Sequence, residues 1–123
     1  MIKIDICHHL PMDRADELIS ELNGKKILVK GNHDKKYDTE LFEQISDFKT
    51  VSLNGMYFAL VHYPMLSWPK KNSGSIQLHG HIHARREYNL QNKMDGIRRY
   101  DVGVDANNYY PVSAKQIIEF FNT

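Results

Sequence analysis

The chain has 123 residues, 41% of them hydrophobic and 25% charged, with 16 basic against 15 acidic side chains and a formal net charge of +1. That size and composition describe one ordinary globular domain over residues 1–123, large enough to bury a single core. The balanced charge excludes the basic footprint of a stable nucleic-acid or anionic-membrane binder, and no apolar run approaches the ~20 residues of a membrane span.

In chain order, the opening "MIKIDICHH" is too short and too interrupted for a signal peptide, and its "IKIDIC" alternates apolar and polar residues as a short strand does. The lone Cys7 excludes an internal disulfide and fits a half-buried strand position in a reducing compartment, so a cytoplasmic location is expected. Asp13 reads as an N-cap, Leu18, Ile19 and Leu22 as a helical apolar stripe, and Asn23-Gly24 as its close. "KKILVK" is a buried strand that stops at "GNHD", residues 31–34, and a second short helix is expected over Thr39 to Ser46.

Two strands follow, Phe48 to Leu53 and Met56 to His62, joined by Asn54-Gly55, the strongest short hairpin signal. "YPMLSWPKKNSGS" is a long loop marked by Pro and Gly, of a length more often functional than decorative. Its Trp68, Lys70 and Lys71 either cover a substrate or pack the loop and face solvent. "SIQLHGH" resumes as strand, and more strand is expected through "EYNLQ" and "IRRYDVGVD". Ser113 with Gln116 forms a capping box for a last helix carrying Ile117, Ile118, Phe120 and Phe121. Alternating strands and helices define an α/β domain.

The chemistry gathers at strand ends: Asp5, Asn32-His33-Asp34, His62, and His81 with His83. Loops at the carboxyl ends of strands are where α/β folds bind ligands. If the segment is extended, a spacing of two sends His81 and His83 to the same side. Imidazoles, a carboxylate and an amide oxygen form a mixed nitrogen and oxygen donor set, suited to manganese, iron, cobalt or zinc rather than calcium. Each residue also has a plainer reading. "GNHD" is turn chemistry, His62 a strand-end histidine bonded to backbone, and Asp5 a solvated strand residue. The plainer readings must all hold together to remove the site, and their shared position at strand ends argues against that.

"GNHD", "VHYP" and "HGHIH", in that order, resemble the motifs of the calcineurin-like metallophosphoesterase family, and the closing "DVGVDANNYYPVS" is similar to small bacterial phosphoesterases of that family. The resemblance spans nearly the whole chain. It implies two mixed β-sheets packed as a sandwich and flanked by helices, with two divalent metals (Mn2+, Fe2+, Zn2+ or Co2+) above the strand ends. By the same resemblance Asp5 bridges the metals, Asn32, His62 and His81 complete the second site, and His83 serves the first. His33 touches the scissile phosphate and Asp34 orients it.

The implied activity is hydrolysis of a small phosphate ester, a monoester or diester. In it two ions clamp the phosphate and activate a water for in-line attack, while His33 stabilises the transition state or acts as general acid. The family's opening Asp-x-His strand has no counterpart here, and Ile4 stands where a glycine usually precedes the bridging aspartate. The pattern is that of a member lacking the first strand–helix unit, so the first metal keeps only Asp5 and His83 and one ion is expected to bind firmly. His8 and His9 are substitute ligands or parts of an exposed loop, and His79 is expected to be structural.

A strand missing from a sheet exposes an edge that pairs with other chains, so a homo-oligomer is expected. A monodisperse monomer in light scattering would refute it. Two alternatives stand beside the enzyme. One is a degenerate metal-binding remnant of the same fold. The other is a cupin-type barrel reading His81-x-His83 with Glu87, which lacks its later histidine and leaves "GNHD" unexplained.

Overall fold

The computed structural model describes residues 2–4, 27–31 and 42–123. Its strands form two sheets. The first is parallel and three-stranded, ordered β1-β2-β3, from β1 (Ile2–Ile4), β2 (Ile27–Val29) and β3 (Gln44–Ser46). The second is mixed and four-stranded: β4 (Phe48–Leu53), β5 (Met56–Val61), β6 (Ile76–His79) and β7 (Arg99–Asp101), in that spatial order. Its first pair is antiparallel and the other two are parallel. Among the described residues, two α-helices, α1 (Arg86–Met94) and α2 (Ala114–Asn122), accompany the sheets in an α/β arrangement.

The core follows from strand alternation. Phe58 and Leu60 on β5 stand opposite Ile76 and Leu78 on β6, and Leu78 opposite Tyr100 on β7. This row packs with Ile117 of α2 and with Val29 of β2, so both sheets share one apolar cluster. Helix α2 is held at its start by the expected capping box, with the Ser113 Oγ accepting from Gln116 N–H at 3.1 Å. The hairpin over residues 48–61 also forms as expected, with Asn54 and Gly55 at positive φ of 52° and 79°. Positive φ at both central residues is what such a tight turn requires.

Two expectations are overturned. Residues 44–46 are strand rather than helix: Ile45 pairs with Leu28, and the ladder continues as Lys30 N–H donates to Ser46 C=O at 2.8 Å. Sheet pairing here outweighs local propensity. "EYNLQ" lies inside helix α1, not in a strand. The buried residues of this helix are Asn89 and Asn92, so the apolar period that marks a docked helix is missing. Those amides dock on β7, the edge of its sheet. Asn89 donates to Asp101 C=O at 3.1 Å and accepts from Asp101 N–H at 2.8 Å, and Asn92 donates to Arg99 C=O at 3.2 Å. They supply the backbone of β7 with partners that a further strand would have given it.

The expected helix over Asp13 to Gly24 and Cys7 lie outside the described residues. Among the described residues, no helix is long and apolar enough to cross a membrane.

Candidate functional site

Strand β6 is buried along its whole length, including the polar Gln77 and His79. Gln77 fastens the start of the long loop, accepting from Met65 N–H at 3.3 Å and donating to Tyr63 C=O at 3.4 Å. Trp68 is buried and donates to Ser75 C=O at 3.4 Å, while the Lys71 ammonium caps Leu66 C=O at 2.8 Å and lies 5.0 Å from the Trp68 ring. Lys70 sits over the Tyr57 ring. In these contacts the loop is packed down by its own tryptophan and lysines.

His62 follows β5 two residues after Leu60, on the register of the core face, and is fully buried. Its Nε2 lies 3.0 Å from Nδ1 of His81. The two strand ends are tied behind this pair, where Gly80 N–H donates to His62 C=O at 3.0 Å. Tyr63, half exposed, sets its ring edge-on to both imidazoles at 4.8 and 4.7 Å between centroids.

His81 reaches His62 because the chain leaves the extended conformation there. Its φ is +71°, and Ile82 N–H donates to Gly80 C=O at 2.9 Å, a γ-turn of the strained hand. His83 has φ +47°. The premise that His81 and His83 point alike along an extended strand is therefore corrected. The strand ends at His79, and each of the two histidines is itself in a left-handed conformation, with Ile82 between them. Such conformations cost about 1–3 kcal/mol each and persist only where surrounding contacts impose them.

The imposing contacts centre on Asp101. Its carboxylate, 1% exposed, accepts from Ala84 N–H at 3.1 Å through Oδ2 and from Gly103 N–H at 2.8 Å through Oδ1. A Cβ at Gly103 would stand 2.9 Å from that Oδ1, so a side chain at residue 103 would require the carboxylate to shift. The short 3-10 turn that follows, Val104–Ala106, presents Asp105, whose Oδ2 lies 2.7 Å from His83 Nδ1. Asn107 braces this turn by donating to Asp101 C=O at 3.0 Å and Gly103 C=O at 2.8 Å, and it accepts from the Tyr100 hydroxyl.

His79 takes the structural part expected of it. Nδ1 lies 2.9 Å from Gly80 C=O and Nε2 2.8 Å from the Tyr88 hydroxyl. With a carbonyl as its acceptor, Nδ1 carries the proton and Nε2 accepts from the tyrosine. Burial holds this imidazole below its ordinary value, which suits the neutral ring.

The structure thus brings His62 and His81 together and pairs His83 with Asp105. Asp5, His8, His9, Asn32, His33 and Asp34 lie outside the described residues; in the chain, Asp5 follows the last residue of β1, and Asn32 comes three residues after the last of β2. Among the described residues, no group of three or more His, Cys, Asp or Glu side chains converges as a metal cage would. Sequence reasoning missed Asp101, Asp105 and Tyr63. The one available signal was that a ligating histidine needs a carboxylate or carbonyl on its other nitrogen.

A mixed α/β fold of two sheets defines the class of the molecule, and comparisons with known proteins sharpen it only in shape and ancestry. The crystal structure of AQ665, a protein of unknown function from Aquifex aeolicus, superposes with a TM-score of 0.68 at 27% identity, over 97% of this chain and 74% of that one. The uncharacterized protein MJ1445 of Methanocaldococcus jannaschii is 34% identical over 108 residues, which are 86% of this chain and 55% of that protein. The chain therefore spans about half the length of the curated relative it matches. No protein-family model matches the chain.

Proposed function

We propose that this chain is a calcineurin-like metallophosphoesterase domain, hydrolysing a small phosphate ester at a divalent transition-metal site on the strand ends. The observation that carries the reading is the meeting of His62 Nε2 and His81 Nδ1 at 3.0 Å. Two nitrogens each ~2.1 Å from one ion and at right angles across it are ~3.0 Å apart, and ~3.4 Å apart at a tetrahedral angle. The observed separation is therefore one that two nitrogens sharing a divalent ion could adopt. Without an ion, the same separation accommodates one imidazole N–H donating to the other ring.

By the family resemblance His62 and His81 would hold this ion together with Asp5 and Asn32, and His83 would serve the first ion. A bound divalent ion supplies Lewis acidity toward the phosphate oxygens and toward water. The chain's own residues do the rest. Tyr63 packs its ring edge-on against both imidazoles of the pair. By the family resemblance His33, with Asp34, would stabilise the charge that develops on the phosphate in the transition state.

A chromogenic phosphodiester, bis(4-nitrophenyl) phosphate, tests the reading with Mn2+ present. The wild type is expected to release 4-nitrophenolate, to stop on addition of a chelator, and to slow about 10²–10³-fold as His33→Ala. Equal rates for the two proteins, or a rate indifferent to the chelator, would overturn it.

A further inference from the structure

We propose that Asp105 is a positioning residue that fixes the tautomer of His83, leaving Nε2 as its ligand nitrogen. The inference rests on the metallophosphoesterase reading for what Nε2 meets, but its geometry is independent of that reading. A carboxylate only accepts hydrogen bonds, so at 2.7 Å from Asp105 Oδ2 the Nδ1 of His83 is the nitrogen that carries the proton. In the neutral ring the lone pair then belongs to Nε2, the nitrogen a cation takes. Free imidazole side chains favour the opposite tautomer, with the proton on Nε2, so the pairing reverses the default.

The surroundings support a fixed rather than a fortuitous pair. His83 stands at φ +47°, and the N–H of the next residue, Ala84, is held by the Asp101 carboxylate. Asp105 sits on a turn whose N-cap, Gly103, donates its N–H to that same carboxylate and accepts through its C=O from Asn107. One buried side chain thus registers both partners. A ligating histidine backed by a carboxylate is also the arrangement by which proteins set ring orientation and ligand basicity, and removing such a partner lowers metal affinity about 10–100-fold.

The test combines two readouts on the purified wild type, Asp105→Ala and Asp105→Asn. Long-range proton–nitrogen spectra of the metal-free proteins at pH 8 report the His83 tautomer. The expected result is Nδ1-protonated in the wild type, predominantly Nε2-protonated in Asp105→Ala, and partly restored in Asp105→Asn, whose carbonyl oxygen still accepts. Titration with Mn2+ is expected to show affinity lower by about 10–100-fold in Asp105→Ala, with an unchanged urea midpoint.

A wild type with its proton on Nε2, or an Asp105→Ala protein with unaltered tautomer and affinity, would overturn the assignment. A wild type that binds no Mn2+ would overturn the metal reading instead, and the ring nitrogen shifts would then decide the Asp105–His83 arrangement on their own.

Discussion

His81→Gly is expected to lose metal-dependent phosphodiester hydrolysis by about 10²–10³-fold while leaving the fold almost as stable as before. Both halves follow from the γ-turn. The imidazole contributes one of the two nitrogens that meet at 3.0 Å, and no described side chain stands ready to replace it. The backbone at this residue has φ +71°, which glycine adopts without the steric cost a histidine bears. Relief of that strain offsets the lost contact with His62, about 0.5–1.5 kcal/mol for an ordinary hydrogen bond, so the net change in unfolding free energy is expected within about 1 kcal/mol. Urea unfolding and Mn2+ titration of the same preparation check the two halves. A His81→Gly protein that retains wild-type Mn2+ affinity and rate would remove His81 from the site.

Asp101→Ala is expected to destabilise the protein by about 3–5 kcal/mol, since hydrogen bonds to a charged acceptor contribute about 1.5–3 kcal/mol each and two are lost. The two donors, the N–H groups of Ala84 and Gly103, are left beside a cavity where the carboxylate stood. Asp101→Asn keeps one acceptor oxygen and is expected to cost about half as much. The damage is directional. The segments released are those that hold His83 and Asp105, so Mn2+ affinity should fall in both variants even at temperatures where they remain folded. Unfolding free energies within about 1 kcal/mol of wild type for Asp101→Ala would show that the loop is fixed by something else.

What was legible in the sequence was whatever local chemistry dictates. Asn54-Gly55 demands a tight hairpin, Ser113 with Gln116 makes a reciprocal cap, and the alternating apolar residues of β5 and β6 become the core row. His62 and His81 were each readable as strand-end histidines, and the family resemblance set them on one ion. The rest depended on distant partners. Helix α1 docks through two asparagines, so no apolar stripe announced it, and β3 exists because Leu28 and Lys30 offer a ladder to Gln44–Ser46. Asp105 lies 22 residues from His83 in the chain, and only the fold makes them neighbours. The two-residue histidine spacing misled for a related reason: side chains alternate predictably on an extended backbone, and this backbone turns left-handed at both positions.

The amide seal along β7 has a consequence for how these molecules meet one another. Asn89 occupies both outward backbone groups of Asp101 and Asn92 the carbonyl of Arg99, so a neighbouring molecule that approaches this flank finds three of its ladder positions already taken. Fibril-like growth from that side would first have to peel away a whole helix, and crowding alone gives no route to it.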